Sequence, residues 1–340
     1  MTGDLAHVGG RLATGLAEVS DDLAALDRPG FWVVVVTFEG AVACARFTDV
    51  RPAPPPAAPW HGPDPGSWTT SLDEAGYISR VERVRRDIAD GAVYQVNLCR
   101  TLSAPTRERR LTGLAGLLAA EHPSRHPALI CLPSLSLHVC SASPELFLSR
   151  RRDGAADVAD VVETRPIKGT GATASDLAAK DHAENVMIVD MARNDVSRVA
   201  ATGSVRVTGL CELEDYPGLV QMVSTVRAEL RPGVSWPDLF AATFPPASVS
   251  GAPKSSALRL IAELEPIPRG PYCGAVGFVD NTRPERRDAV LAVGIRTFWL
   301  DGGELRFGAG AGITWGSQPQ GEWAETVLKA KRLVAIASRG

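Results

Sequence analysis

The apolar positions along this chain change their period repeatedly, and each change predicts an element. "FWVVVV" (31–36) is continuously apolar, the pattern of a buried strand. With the residues up to 48 it predicts a hairpin turned at "EG" (39–40). "SLDEAGYISRVERVRRDIADG" (71–91) instead returns its apolar residues every three or four places between a capping serine and Gly91, as a helix does. "AVYQVNLCRTLSAP" alternates as a strand, "LTGLAGLLAAEHP" predicts a helix, and "ALICL", "LSLHVCSAS" and "LFLSR" are further strands. Residues 174–200 predict one long helix capped by Ser175, or two in succession. "SVRVTGL" follows, "GLVQMVSTVRAEL" fits helix or strand, and "SWPDLFAATF" and "KSSALRLIAELEP" are helices around the loop "PPASVSGAP". "CGAVGFVD", "AVLAVGIRTFWL" and "ELRFGAGAGI" predict strands before a last helix, "GEWAETVLKAKRLVAIAS".

Strands outnumber crossover helices and come in clusters, so the expected class is α+β with mainly antiparallel sheets. The proline-rich "RPAPPPAAPWHGPDPG" (51–66) reads as an extended linker. Residues 1–66 are therefore expected to add strands and a linker to the fold of one main domain, 67–340. No inter-domain linker follows residue 66.

Composition narrows the function classes. The 340 residues are 45% hydrophobic and 22% charged, with a net charge of −3, so no basic footprint for nucleic acid is present. No apolar run approaches membrane-spanning length, and no membrane partner is expected. The start "MTGDLAHVGG" lacks the basic and apolar regions of a signal peptide, which predicts a cytoplasmic protein. Six scattered cysteines without a CxxC pair predict buried thiols, neither disulfides nor a zinc site.

Candidate chemistry lies in a few places. "TRPIKGT" (164–170) sets Lys168 beside Gly169 and reads either as a surface turn or as a cation in a pocket. Asp181 and Glu184, and again Glu322 and Glu325, are three apart on a helix and share a face. If the two faces met, four carboxylates would suit Mg²⁺; by spacing alone they are equally a solvated surface. "FGAGAGI" (307–313) fails as a dinucleotide fingerprint because residue 313 is Ile, and "SVSGAPKSS" (248–256) fails as a P-loop. Either could offer backbone amides to a carboxylate, or be a tight turn. Arg296 in "GIRT" needs an anion, an internal Asp/Glu or a ligand carboxylate. Lys329 lies one turn after Glu325 and could be its ion-pair partner, and Glu145 could be an acid facing a pocket or a loop residue. No G-x-S-x-G elbow or H-E-x-x-H motif supports a hydrolase.

Taken together, "GAVYQVNLCR" (91–100), "SASPELFL" (141–148), "TRPIKGT", "AENVMIVDMARNDVSRV" (183–199), "VSGAPKSSALRLIAELEP" (249–266), "RGPYCGAVGF" (269–278), "GIRT" and "GAGAGI…EWAETVLKAK" resemble, in unbroken order, the chorismate-utilising enzymes. The resemblance implies two large mainly antiparallel sheets packed as a sandwich with helices outside. It implies Mg²⁺ held by Glu184 and Glu325, with Asp181 and Glu322 reaching it through water. Tyr272, Arg296, Lys329 and the amides around Gly310 and Gly312 would anchor substrate carboxylates, with Ser250 and Gln95 lining the site. Glu145 would be the general acid.

Gln95 stands where isochorismate and salicylate synthases carry a lysine base, and Lys168 stands where anthranilate synthases usually carry alanine. Both features resemble aminodeoxychorismate synthase component I, in which the lysine attacks C2 of chorismate. Gln221 stands where the family usually has histidine, and Ser250 is more typical of anthranilate synthases. The expected reaction is C4 amination of chorismate, towards p-aminobenzoate and folate. Its ammonia would come from a separate glutamine amidotransferase subunit. The alternatives are C2 amination, as in anthranilate or aminodeoxyisochorismate synthases, and a chorismate-binding paralogue of little activity.

Overall fold

The structure, a computed structural model, describes residues 3–153, 159–171, 173–177, 179–216, 219–283 and 285–339. The chain opens with β1 (Leu5–Val8), β2 (Arg11–Ser20), β3 (Phe31–Val36), β4 (Val42–Pro52) and the short β5 (Thr69–Thr70). Helix α1 (Glu74–Ala89), β6 (Gln95–Pro105), α2 (Thr112–Glu121), β7 (His126–Leu132), β8 (Leu137–Ser143) and β9 (Leu146–Asp153) follow. Next come β10 (Val161–Arg165), β11 (Ile167–Gly171), α3 (Ala179–Ser197), β12 (Arg206–Tyr216), β13 (Leu219–Glu229) and α4 (Trp236–Thr243). The chain ends with β14 (Gly251–Ala252), α5 (Lys254–Leu264), β15 (Ala275–Arg283), β16 (Arg286–Val293), β17 (Thr297–Asp301), β18 (Glu304–Ile313) and α6 (Pro319–Ala337).

Every ladder between these strands is antiparallel. Eighteen strands are joined in one continuous hydrogen-bonded path. From one end it runs β6, which also carries β5 and β14, then β18, β17, β8, β7, β1, β2, β4, β3, β15, β16, β9, β10 and β13, with β11 and β12 both on β13. The path folds back on itself into two layers. Ile130 and Val139 of β7 and β8 share a core with Val33, Val276, Phe147 and Leu291 of β3, β15, β9 and β16. The expected sandwich is present, with its two sheets continuous through β1 and β2.

The helices cover the outer faces by their apolar stripes. Leu114 and Leu118 of α2 and Leu333 and Ile336 of α6 bury against Leu129, Phe298 and Phe307. Val81 of α1 and Leu260 and Ile261 of α5 bury against Val96, Leu98 and Ile313. On the other layer Val189 and Ala192 of α3 pack on Val226 of β13. The proline-rich segment runs along α2 and α6: Trp60 is buried there and donates from Nε1 to Ala337 O at 2.9 Å.

Two open local readings are decided and one expectation is corrected. "VVETR" and "IKGTG" are strands, so Lys168 lies in β11 and not in a turn; Gly169, at φ 87°, sits where the register against β13 slips. Of the two alternatives for residues 219–229, the strand is the one formed. The single strand expected through "AVLAVGIRTFWL" is two, β16 and β17, broken at Arg296, whose φ is 52°.

Candidate active site

The two ends of the strand path meet at Lys168. Its Nζ, brought by β11, would lie 2.9 Å from a β-carbon placed on Gly312 of β18; Gln95 Nε2 of β6 would lie 2.6 Å from the same point. Only a glycine permits that approach. Lys168 is 14% exposed and makes no hydrogen bond among the described residues; its nearest anion is Glu184 Oε2 of α3 at 4.0 Å. Burial pushes its pKa down, Glu184 opposes this, and Lys329 pushes the same way as burial. Gln95 is 1% exposed and its Oε1 has no partner. A buried carbonyl without a donor costs stability unless a ligand supplies one.

The α6 side of the cleft is open. Lys329 is 52% exposed, donates to Gly310 O at 3.0 Å and pairs with Glu325 Oε1 at 2.6 Å, the i,i+4 pair its spacing suggested. β18 pairs with β17 only from Glu304 to Phe307, so residues 308–313 keep one strand edge outside that ladder. In an antiparallel strand a residue's N–H and C=O point to the same side. The Gly310 carbonyl that meets Lys329 therefore marks where the Gly310 and Gly312 amides point.

Glu145, at the break between β8 and β9, is 4% exposed. Its Oε1 accepts from Ser248 Oγ at 2.5 Å. Burial pushes its carboxyl up to about 7, against the pull of Ser248, Lys168 and Lys329. It is thus a buried acid within the field of both lysines.

Among the described residues no three His, Cys, Asp or Glu side chains are gathered closely enough to hold a metal ion. The four expected carboxylates lie two on each helix. Asp181 sits against Gly169 and Glu184 faces Lys168, while Glu325 faces Lys329 and Glu322 is buried in the first turn of α6. Among the described residues, Glu184 faces the Lys168 ammonium and Glu325 that of Lys329.

The remaining expected residues divide. Gln221 is buried in β13 opposite Thr170 of β11. Tyr272 is buried with its ring over Gly308, further along β18 from Gly312, and burial pushes its pKa up. Arg296 has no carboxylate among the described residues: its Nη1 lies 3.4 Å from His122 Nε2, and burial pushes that imidazole down to about 4 and keeps it neutral. Ser250 is turned inward, its hydroxyl donating to Pro246 O at 3.0 Å, so its side chain fastens a loop. Two features escaped the sequence reading. Ser248, the hydrogen-bond donor to Glu145, is an unmarked loop serine. Lys254 donates to Asp195 Oδ2 at 2.7 Å and to Thr243 O, fastening the same loop to α3.

Residues 32–335 match the family model described as chorismate binding enzyme. The anthranilate synthase component 1 of Streptomyces coelicolor is 35% identical over 94% of this chain and 66% of its own length. The aminodeoxychorismate synthase of Streptomyces griseus is 36% identical over 94% of this chain and 43% of its own length. The chain thus spans only part of these curated relatives. The crystal structure of anthranilate synthase component I from Streptococcus pneumoniae superposes with a TM-score of 0.76 at 23% identity, over 98% of this chain and 90% of that one. Sequence match and shared fold agree, and the chain belongs to the chorismate-binding enzymes.

Proposed function

We propose that the protein aminates chorismate at C4 as an aminodeoxychorismate synthase component I, with ammonia from a separate glutamine amidotransferase subunit. The observation that carries this reading is Lys168: a lysine buried against Gly312 and Gln95, without a hydrogen bond among the described residues, its pKa pushed down by burial. A neutral amine is what nucleophilic attack needs. Lys168 Nζ bonds to C2 as the two conjugated ring double bonds each shift by one position and the C4–O bond breaks. The hydroxyl departs as water with the proton of Glu145. Ammonia then bonds to C4, both double bonds shift back, the C2–N bond breaks, and the surplus proton returns to the Glu145 carboxylate. Arg296 and the Gly310 and Gly312 amides would hold substrate carboxylates, and Tyr272, Gln95 and Gln221 would line the ring.

The hard-oxygen donors that now face lysine ammoniums fit Mg²⁺, which takes one or two carboxylates and keeps its other positions for water and substrate. Glu184 and Glu325 would hold it, with Asp181 and Glu322 behind. Bound there, it would supply Lewis-acid stabilisation of the charge on the substrate carboxylate.

Relatives named anthranilate synthase favour a second reading, amination at C2. Incubation with chorismate, Mg²⁺ and ammonium, with the product identified, separates the two. 4-Amino-4-deoxychorismate is expected, and Lys168→Ala should reduce it to background. Anthranilate as the product would sink the C4 reading, and full C4 amination by Lys168→Ala would sink the nucleophile role. Chorismate binding without any product would point instead to a binding paralogue.

A further inference from the structure

Between α3 and the strands β9 and β10 lies a cavity of about 20 Å³ with Glu145 in its wall. That is room for the centre of one water-sized molecule and excludes a ring such as chorismate. Most of the wall is apolar, including the small side chains of Ala192 and Ala247; its polar groups come from Glu145, Ser248, Thr243, Thr164 and Asp195. The Glu145 carboxyl is held there by Ser248. Asp195 is tied to Lys254, which also donates to Thr243 O.

The proposed reaction exchanges one single-heavy-atom molecule for another at C4: ammonia enters and water leaves, with Glu145 giving a proton and receiving one back. We propose that this cavity is the ammonia site of the enzyme, reached by the departing water as well. The proposal rests on the C4 amination reading. Its chemistry fits, since the Glu145 carboxyl and the Ser248 and Thr243 hydroxyls in the wall have oxygens that can accept the N–H groups of ammonia.

Initial rates measured separately against ammonium and chorismate test it, using the wild type, Ala192→Val, which fills the cavity, and Ala192→Gly, which enlarges it. Filling by methyl-sized groups should raise the KM for ammonium about tenfold or more, leaving that for chorismate unchanged, while Ala192→Gly should not raise it. Ala247→Val fills the opposite wall and decides the matter if Ala192→Val fails to fold. Folded filling variants with an unchanged ammonium KM, or with both KM values raised alike, would overturn the cavity assignment alone. A wild type that makes no C4-aminated product would overturn the amination reading and this assignment with it.

Discussion

Two charged clusters lie in this molecule and are built differently. Around Asp160, three guanidiniums converge on one buried carboxylate: Arg150 Nε and Arg152 Nε at 2.6 Å and Arg287 Nη1 at 2.9 Å. Arg150 also donates to Val234 O at 2.9 Å. In the lysine cleft the nearest anion to Lys168 is at 4.0 Å and Gln95 Oε1 has no donor. The first cluster saturates its carboxylate and so ties β9, β16 and the approach to β10 together. The second leaves more hydrogen-bonding capacity unused among the described residues. The contrast is one of degree, since Arg150 Nη1 has no hydrogen bond either and reaches only Asp27 Oδ1, at 3.8 Å.

That contrast can be broken from either side. The largest effect is expected from Glu145→Gln, which should lower the rate of C4 amination about 10²–10⁴-fold in a steady-state assay. Because its carboxyl titrates at about 7, wild-type activity should fall as pH rises through that value. The sign for stability follows. A carboxyl raised from 4.5 to about 7 penalises folding once ionisation is demanded, so stability is lost as pH rises across that window. Glu145→Gln removes the penalty, and its gain in thermal midpoint over the wild type should be greater at pH 8 than at pH 5.

Asp160→Asn should do the reverse. It leaves three arginines facing a neutral amide, and denaturant unfolding should show a loss of about 3–5 kcal/mol, while activity per folded molecule is kept. The smallest effect is expected from Gly312→Ala, whose β-carbon would crowd Lys168 Nζ and Gln95. Displacing the amine should lower kcat by up to about 10²-fold with little change in thermal midpoint.

Much of this was legible before the fold was in view. The apolar run 31–36 and the periodic segments of α1, α5 and α6 read correctly because burial on one face or two leaves a period. The motifs that carry Lys168, Glu145 and Glu184 were legible as segments, but their meeting was not, since β11 is linked to β6 and β18 only through the whole path of ladders. β1 and β2 carry no clear alternation around Gly9, Gly10 and Gly15. β11 was hidden by Pro166 and Gly169, residues that normally end a strand. A serine in a motif looks the same whether its hydroxyl faces a ligand or, as at Ser250, a carbonyl. Ser248 was invisible for the same reason.

One consequence of the folded-back sheet concerns assembly. Lys168 belongs to one end of the hydrogen-bonded path, and Gly312 and Gln95 belong to the other. The cleft is therefore a clasp: neither end holds half a catalyst, and nothing reactive exists until every intervening ladder has registered. Such distant pairings are slow to form, so catalytic competence is the last property a refolding chain would regain, and its return would report closure of the whole sheet.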